Sequence, residues 1–285
     1  MQTNKFKVLV HTVQMRSGEL LNENVLSRDC KYLSKNLDRY TKRGLLYKIN
    51  PNEYMGPLYK YSDFKLIMEA IQEELEISEW EYDRIDVAVD STSSYEDLFK
   101  INKYLISLLD LCMGSDSFTD TRGGMKLEKR SLKTWKRKLD IEVYDKNLES
   151  EGKHPYTRCE FRFKLLNKER EQRIFDDIYA MLDGCKIHID DLNKTKTKCL
   201  YKIWCKEKKE GTVLSINEFY RKYADEIYTV EISKELFRKI TKNESRYKDW
   251  IGNFRRKLDI KFVSRRSLDQ YISNIKDAIE SYRTS

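Results

Sequence analysis

LDIEVYDKNLE, residues 139–149, is the stretch that decides how this chain is read. Ile141 and Val143 point one way and Glu142 and Tyr144 the other, the period of two that marks a β-strand with one buried face. Two other runs alternate in the same way. In YDRIDVAVD (82–90), Ile85, Val87 and Val89 face a core while Asp86 and Asp90 share the opposite face. In TRCEFRFK (157–164), Cys159, Phe161 and Phe163 turn inward and Arg158, Glu160 and Arg162 turn outward. If the three strands are neighbours in one sheet, a tyrosine, several carboxylates and basic side chains meet on one surface. That set suits metal-assisted attack of a tyrosine on a phosphodiester.

The totals are compatible with this. At 285 residues the chain holds one large domain or two ordinary ones, and its 40% apolar share is enough for a real core. The balance of 55 basic to 47 acidic residues gives +8, a modest surplus that favours anionic partners such as nucleic acid and equally describes a well-solvated surface. No run of about 18 apolar residues exists, so no membrane span is expected. The opening MQTNKFKVLV enters a strand without a signal-peptide core, and a cytoplasmic protein is expected. Six cysteines in such a chain do not read as a disulfide framework. Cys185, His188, Cys199 and Cys205 loosely imitate a zinc site, but structural zinc sites use tighter knuckles, and the expectation is buried free thiols.

Along the chain, strands are expected at 6–14, 45–50, 85–89, 125–127, 131–144 and 158–164. A turn at Asn50-Pro51-Asn52 ends the second. Helices are expected from Ser62 as N-cap to Leu75, and from Ser93 or Ser94 to Gly114. Asp145 to Tyr156 reads as a hairpin connection. The order predicts an α+β fold, a mainly antiparallel sheet with helices packed on one face, followed by a mostly α-helical C-terminal region. The division expected is 1–170 for the α+β domain and 171–285 for the helical region. KRKLDI at 136–141 recurs as RRKLDI at 255–260, with flanks that do not match, and is not a repeat.

A phenol has a pKa of about 10 and is a poor nucleophile until something removes its proton. A divalent cation polarises the scissile phosphate, and a nearby lysine steadies the phenolate. Mg²⁺ or Mn²⁺ takes oxygen ligands, here Asp86, Asp90, Glu142 and Glu160. Tyr144, with Lys146 two residues on, meets the demand. The chain has 19 tyrosines, however, and strand tyrosines commonly pack across strands. A mixed-charge sheet face also suits plain salt bridges in water. Asp86 and Asp90 stand out because each sits in an otherwise apolar strand.

In order, YKINPNEYM (47–55), YDRIDVAVD, IEVYDKN (141–147) and TRCEFRFK resemble four motifs of the Rep-trans type plasmid rolling-circle replication initiators, the staphylococcal-plasmid group, and of related conjugative-element relaxases. The resemblance covers roughly residues 1–170. It implies Tyr144 as the nicking tyrosine, Asp86 and Glu160 as ligands of the catalytic metal with Asp90 nearby, and Arg84, Arg158 and Lys146 as phosphate contacts or steadying groups. Position 142 is often basic and 162 often acidic in that family. Here they are Glu142 and Arg162, a reversed pair that a cross-strand contact would reconcile.

The resemblance further implies a 5′-phosphotyrosine intermediate at a double-stranded origin with an extruded hairpin, a host helicase and a homodimer. In the helical region, Lys198 and Lys202 flank Tyr201 on one helix face, and Arg255 and Arg256 follow Trp250 and Phe254. Both groups suit DNA-backbone contact, and a solvated helix packed by its aromatic residues accounts for them equally. The rival readings are a relaxase, a non-catalytic DNA-binding protein and a protein-interaction module whose charges serve solubility.

Overall fold

The computed structural model describes residues 6–18, 32–33, 40–41, 44–115, 117–121, 123–129, 138–164, 173–258 and 261–285. Its strands are β1 (Phe6–Ser17), β2 (Tyr40–Thr41), β3 (Gly44–Ile49), β4 (Glu81–Ser91), β5 (Ser117–Thr121), β6 (Gly124–Lys129), β7 (Lys138–Asp145) and β8 (Thr157–Lys164). Its helices are α1 (Asn52–Met55), α2 (Tyr61–Glu74), α3 (Tyr95–Met113), α4 (Lys146–Glu149), α5 (Ile174–Gly184), α6 (Ile189–Glu210), α7 (Ile216–Lys222), α8 (Val230–Thr241), α9 (Tyr247–Leu258) and α10 (Arg265–Thr284). The fold is α+β: an antiparallel sheet followed by a mostly helical C-terminal region.

The strands form one sheet in the order β2-β3-β1-β4-β8-β7-β6-β5. Every pairing is antiparallel. The order explains the burial. β4 and β8 are central, and Val87, Phe161, Ile141 and Leu127 come into register across β4, β8, β7 and β6 with no exposed surface. The alternating apolar residues thus line one buried face, and their polar neighbours line the other. Expected strand 131–144 is observed from Lys138, residues 131–137 lying outside the described residues.

Contacts divide the chain into two compact units that interleave in sequence: Met1–Tyr95, Met113–Ala180 and Ser273–Ser285 form the first, and Glu96–Cys112 with Met181–Ile272 the second. Sequence order suggests a single cut near 170. In the first unit, Tyr61 and Phe64 of α2, Phe175 of α5 and Tyr282 of α10 form one aromatic cluster, with Tyr61–Phe175 centroids 5.3 Å apart.

In the second unit, Trp250 packs against Tyr220 at 4.7 Å, Phe237 at 4.7 Å and Phe254 at 5.0 Å. Ser215 caps α7 by accepting from the Glu218 N–H, and Thr229 caps α8 by accepting from the Ile232 N–H. Lys103, 4% exposed, is charge-balanced by Glu226 at 2.7 Å. Among the described residues no helix is long and apolar enough to cross a membrane.

Two local expectations are corrected, and one is refined. Ser62 does not cap α2, because the extended residue is Lys60, and Ser62 instead donates to the Ser285 carbonyl. The 145–156 connection is the expected hairpin, joining antiparallel β7 and β8, and it contains the one-turn helix α4, because Asp145 accepts from the Asn147 and Leu148 N–H groups and caps it. Cys199 and Cys205 are exposed, not buried, because they lie on the outer side of α6.

Phe161 is wholly buried at the centre of β8. Phe161→Ala is expected to lower the unfolding free energy by about 3–5 kcal/mol in urea denaturation. A loss under about 1 kcal/mol would show that this sheet face is not the core.

Candidate active site

Antiparallel register sets the polar face out in rows, because directly opposed residues point the same way. The first row runs Lys7, Asp90, Arg158, Tyr144 across β1, β4, β8 and β7. The next runs Leu9, Ala88, Glu160, Glu142, and the third Thr12, Asp86, Arg162, Asp140. A fourth holds Lys48, Gln14, Arg84 and Lys164 across β3, β1, β4 and β8. The three strands singled out in the sequence are therefore neighbours, and they bring Tyr144, Arg158, Asp86, Asp90, Glu160, Glu142, Arg84 and Arg162 onto one face.

Glu160 is the meeting point. It is 1% exposed. Tyr144 Oη donates to Glu160 Oε1 at 3.0 Å, and His11 Nδ1 lies 3.2 Å from the same oxygen. Arg162 donates to Oε2 through Nε at 2.9 Å and Nη2 at 2.6 Å, and its Nη1 reaches Glu142 Oε2 at 2.5 Å. The reversed pair Glu142/Arg162 thus makes its cross-strand contact. It also places a guanidinium between two carboxylates that oppose each other in register.

The remaining acids have their own arginines. Arg158, 2% exposed, grips Asp90 with Nε at 2.7 Å and Nη2 at 2.8 Å. Its Nη1 is buried with no hydrogen-bond partner and lies 3.7 Å from Glu160 Oε1. Arg84 grips Asp86 at 2.6 and 2.5 Å. Paired guanidinium N–H groups match the two oxygens of a carboxylate, which is how these buried charges are tolerated.

Electrostatics separates the groups. Burial alone pushes the Glu160 carboxyl up, but Arg162, His11 and Arg158 outweigh it and hold the carboxyl below its ordinary range. Burial wins at Asp86 and at Asp90, which stay above it despite Arg84 and Arg158. Burial first, and then the Glu160 charge, raise the Tyr144 phenol far above its ordinary value, so it is a neutral donor at rest. Burial and then Arg158 push the His11 imidazole down to about 4. A carboxylate oxygen only accepts, so the neutral imidazole facing it carries its proton on Nδ1.

Lys146 is displaced from its expected place. Asp145 ends the strand, so Lys146 starts α4, where its amine pairs with Glu149 and lies 5.9 Å from the Tyr144 ring centroid. In the helical unit, the Arg255 guanidinium lies 4.9 Å from the Phe262 ring centroid, and Arg256 bonds the Asn253 side chain and the Gly252 carbonyl within α9. Lys198 and Lys202 are exposed on α6. These four are not part of the sheet array.

His11 is the residue that sequence reading misses. It sits at the β1 irregularity between Val10 and Thr12, an extra residue in the ladder that re-aims a side chain. His11 has no register partner on β4; the β4 residue opposite Glu160 is Ala88, which pairs with Leu9 on its other side and carries the smallest side chain of that row. The available signal is the break in alternation at VLVHTV, in a chain with only three histidines.

Among the described residues no three acidic, histidine or cysteine side chains gather as a ready cation cage. Magnesium commonly binds through one or two carboxylates and completes its shell with water and substrate phosphate oxygens. The opposed Glu142 and Glu160 satisfy that lesser requirement. No family model matches the chain, and no curated protein matches it. Among solved structures it is similar to the rolling circle replication initiator protein from Geobacillus stearothermophilus. The identity is 16%, over 65% of this chain and 80% of that one, with a TM-score of 0.31.

The His11 shift fixes a pH dependence. Its folded pKa, about 4, lies below the unfolded value of 6.5, so the unfolded state binds more protons between them. The stability is complete above that window and is lost as pH falls through it. Between pH 7 and 5 this amounts to about 2 kcal/mol. His11→Gln should flatten that part of the stability curve measured by urea unfolding. An unchanged slope would contradict the burial of a neutral imidazole.

Proposed function

We propose that this protein cuts and rejoins a DNA strand, with Tyr144 as the nucleophile on a phosphodiester. The observation that carries the reading is the Tyr144 hydroxyl, held 3.0 Å from the buried carboxylate of Glu160 beside the unsatisfied Nη1 of Arg158. Glu160 is the nearest acceptor for the phenolic proton. Arg158, fixed by Asp90, directs its free N–H toward a non-bridging phosphate oxygen, where it would stabilise the charge that develops on attack. His11 orients Glu160 from the other side. Lys48, Arg84 and Lys164 in the fourth row offer positive charge to the flanking strand.

The bond formed joins Tyr144 Oη to phosphorus, and the bond broken releases a 3′-hydroxyl, leaving a 5′-phosphotyrosine. The phosphotyrosine ester retains the cleaved bond's energy, so the step reverses when a 3′-hydroxyl returns. The cofactor proposed is Mg²⁺ or Mn²⁺, which Glu160 and Glu142 would hold; Asp86 and Asp90, on the same face, are each gripped by an arginine. When bound, it would polarise the phosphate and favour the phenolate. Arg162 must swing away from these two carboxylates to admit it.

The four sequence motifs support placing this chemistry in initiation of rolling-circle replication. The proposed substrate is a double-stranded origin with an extruded hairpin, and a host helicase and a second copy of the chain are the proposed partners. Transfer of a conjugative element would use the same chemistry. A non-catalytic DNA-binding platform is the second reading, favoured by the arginine held against every acid among Asp86, Asp90 and Glu160.

Supercoiled plasmid from the encoding element, incubated with Mn²⁺ or Mg²⁺, tests this. Wild type should nick and form a covalent adduct. Tyr144→Phe should do neither, and Glu160→Gln should slow nicking by about a hundredfold or more. Equal nicking by wild type and Tyr144→Phe would move the nucleophile elsewhere. Binding without nicking would favour the platform.

A further inference from the structure

The lysines of α6 are arranged unlike those of an ordinary solvated helix. Between Asp191 and Glu207 the chain contains no acidic residue. Lys194, Lys198, Lys202 and Lys206 follow one another at four-residue intervals, and all are exposed. Side chains four apart on a helix are neighbours, so like charges in this spacing destabilise it. Surface helices usually relieve the repulsion by interleaving acids. Here Lys206 has Glu210 at 4.0 Å, while Lys194, Lys198 and Lys202 have no acidic partner among the described residues. The row extends about 18 Å along the helix axis.

α8 widens the row into a patch. Lys239 and Lys242 hold their amines 6.0 and 5.7 Å from the ring centroid of Tyr201 on α6. Lys242 follows α8 with φ +58°, a left-handed conformation that glycine adopts freely and a lysine does not. Lys239 also lies 3.7 Å from Glu235 on its own helix, while Lys242 has no acidic partner among the described residues, so an anion beside Tyr201 would relieve the charge of Lys242 and the repulsion along α6.

We propose that the α6–α8 surface grips the sugar–phosphate backbone of double-stranded DNA without reading its sequence. A linear row of positive charge suits a polyanion. From Lys194 to Lys206 there is no Arg, Asn or Gln, and lysine presents a compact point charge on a flexible stem rather than a planar fork, which suits phosphate contact more than base reading. No large apolar side chain in that stretch is exposed, so the face lacks what an amphipathic helix inserts into a bilayer. The grip needs neither Tyr144 nor a cation, so it stands or falls separately from the nicking chemistry.

The test uses the full-length protein in EDTA, two unrelated duplexes of about 30 base pairs and fluorescence anisotropy across a KCl series. Both duplexes should bind alike, with log K falling against log[KCl] at a slope of about −4 to −5. The variant Lys198→Gln/Lys202→Gln/Lys239→Gln/Lys242→Gln should lose about 3 to 4 of that slope and bind at least about tenfold more weakly. Lys60→Gln/Lys65→Gln, on the other unit, should not change it. If circular dichroism shows the fourfold variant misfolded, Lys198→Gln/Lys202→Gln decides, with an expected slope loss of about 2. An unchanged slope, a loss matched by Lys60→Gln/Lys65→Gln, or strong preference between the duplexes that the lysine variants abolish would overturn the proposal.

Discussion

Glu160 lies on a central strand whose reverse face is packed core, and it has almost no contact with water. A lone carboxylate there would cost several kcal/mol in lost hydration. It stays charged because Arg162, His11, Tyr144 and the more distant Arg158 converge on its two oxygens. Each is held in turn by a different strand or a second acid. β8 supplies both arginines, β7 the tyrosine and Glu142, β4 the aspartates, and β1 the histidine. The requirement to keep one buried charge satisfied therefore ties the strand order to the chemistry of the face. Breaking one strand's register by a single residue would turn its contribution into the core.

The same constraint explains why the site looks closed at rest. A phenol donating to a buried carboxylate is a worse acid than a free one, and the Tyr144 shift has that sign. For Tyr144 to act as the proposed nucleophile, the Glu160 environment would have to change when substrate arrives. Under the proposed reaction, the unsatisfied Arg158 Nη1 would gain a partner and Arg162 would give up two. Pre-set donors aimed at developing charge cost no reorganisation at the moment of reaction.

Much of this is legible in the sequence, for identifiable reasons. The inner residues Val87, Phe161 and Ile141 alternate so regularly that strand, face and the outward set follow from period alone. Which strands adjoin does not follow, because β4 and β8 lie some seventy residues apart and alternation within each says nothing of the ladder from Arg84 to Ser91 that joins them. His11 is hidden because an extra residue in β1 shifts the alternation that would otherwise mark it. Lys146 is misplaced because Asp145 can either continue a strand or cap a helix, and the backbone donors of Asn147 and Leu148 decide for the cap.

The most direct measurement is to locate the covalent bond. An adduct trapped on a single-stranded oligonucleotide carrying the nick site would be digested with trypsin and sequenced by mass spectrometry. Cleavage after Lys138 and Lys146 releases Leu139–Lys146, in which Tyr144 is the single tyrosine. The account predicts the nucleotide mass on that peptide. Its appearance on another, such as His154–Arg158 with Tyr156, would contradict the assignment of the nucleophile and with it the role given to Glu160.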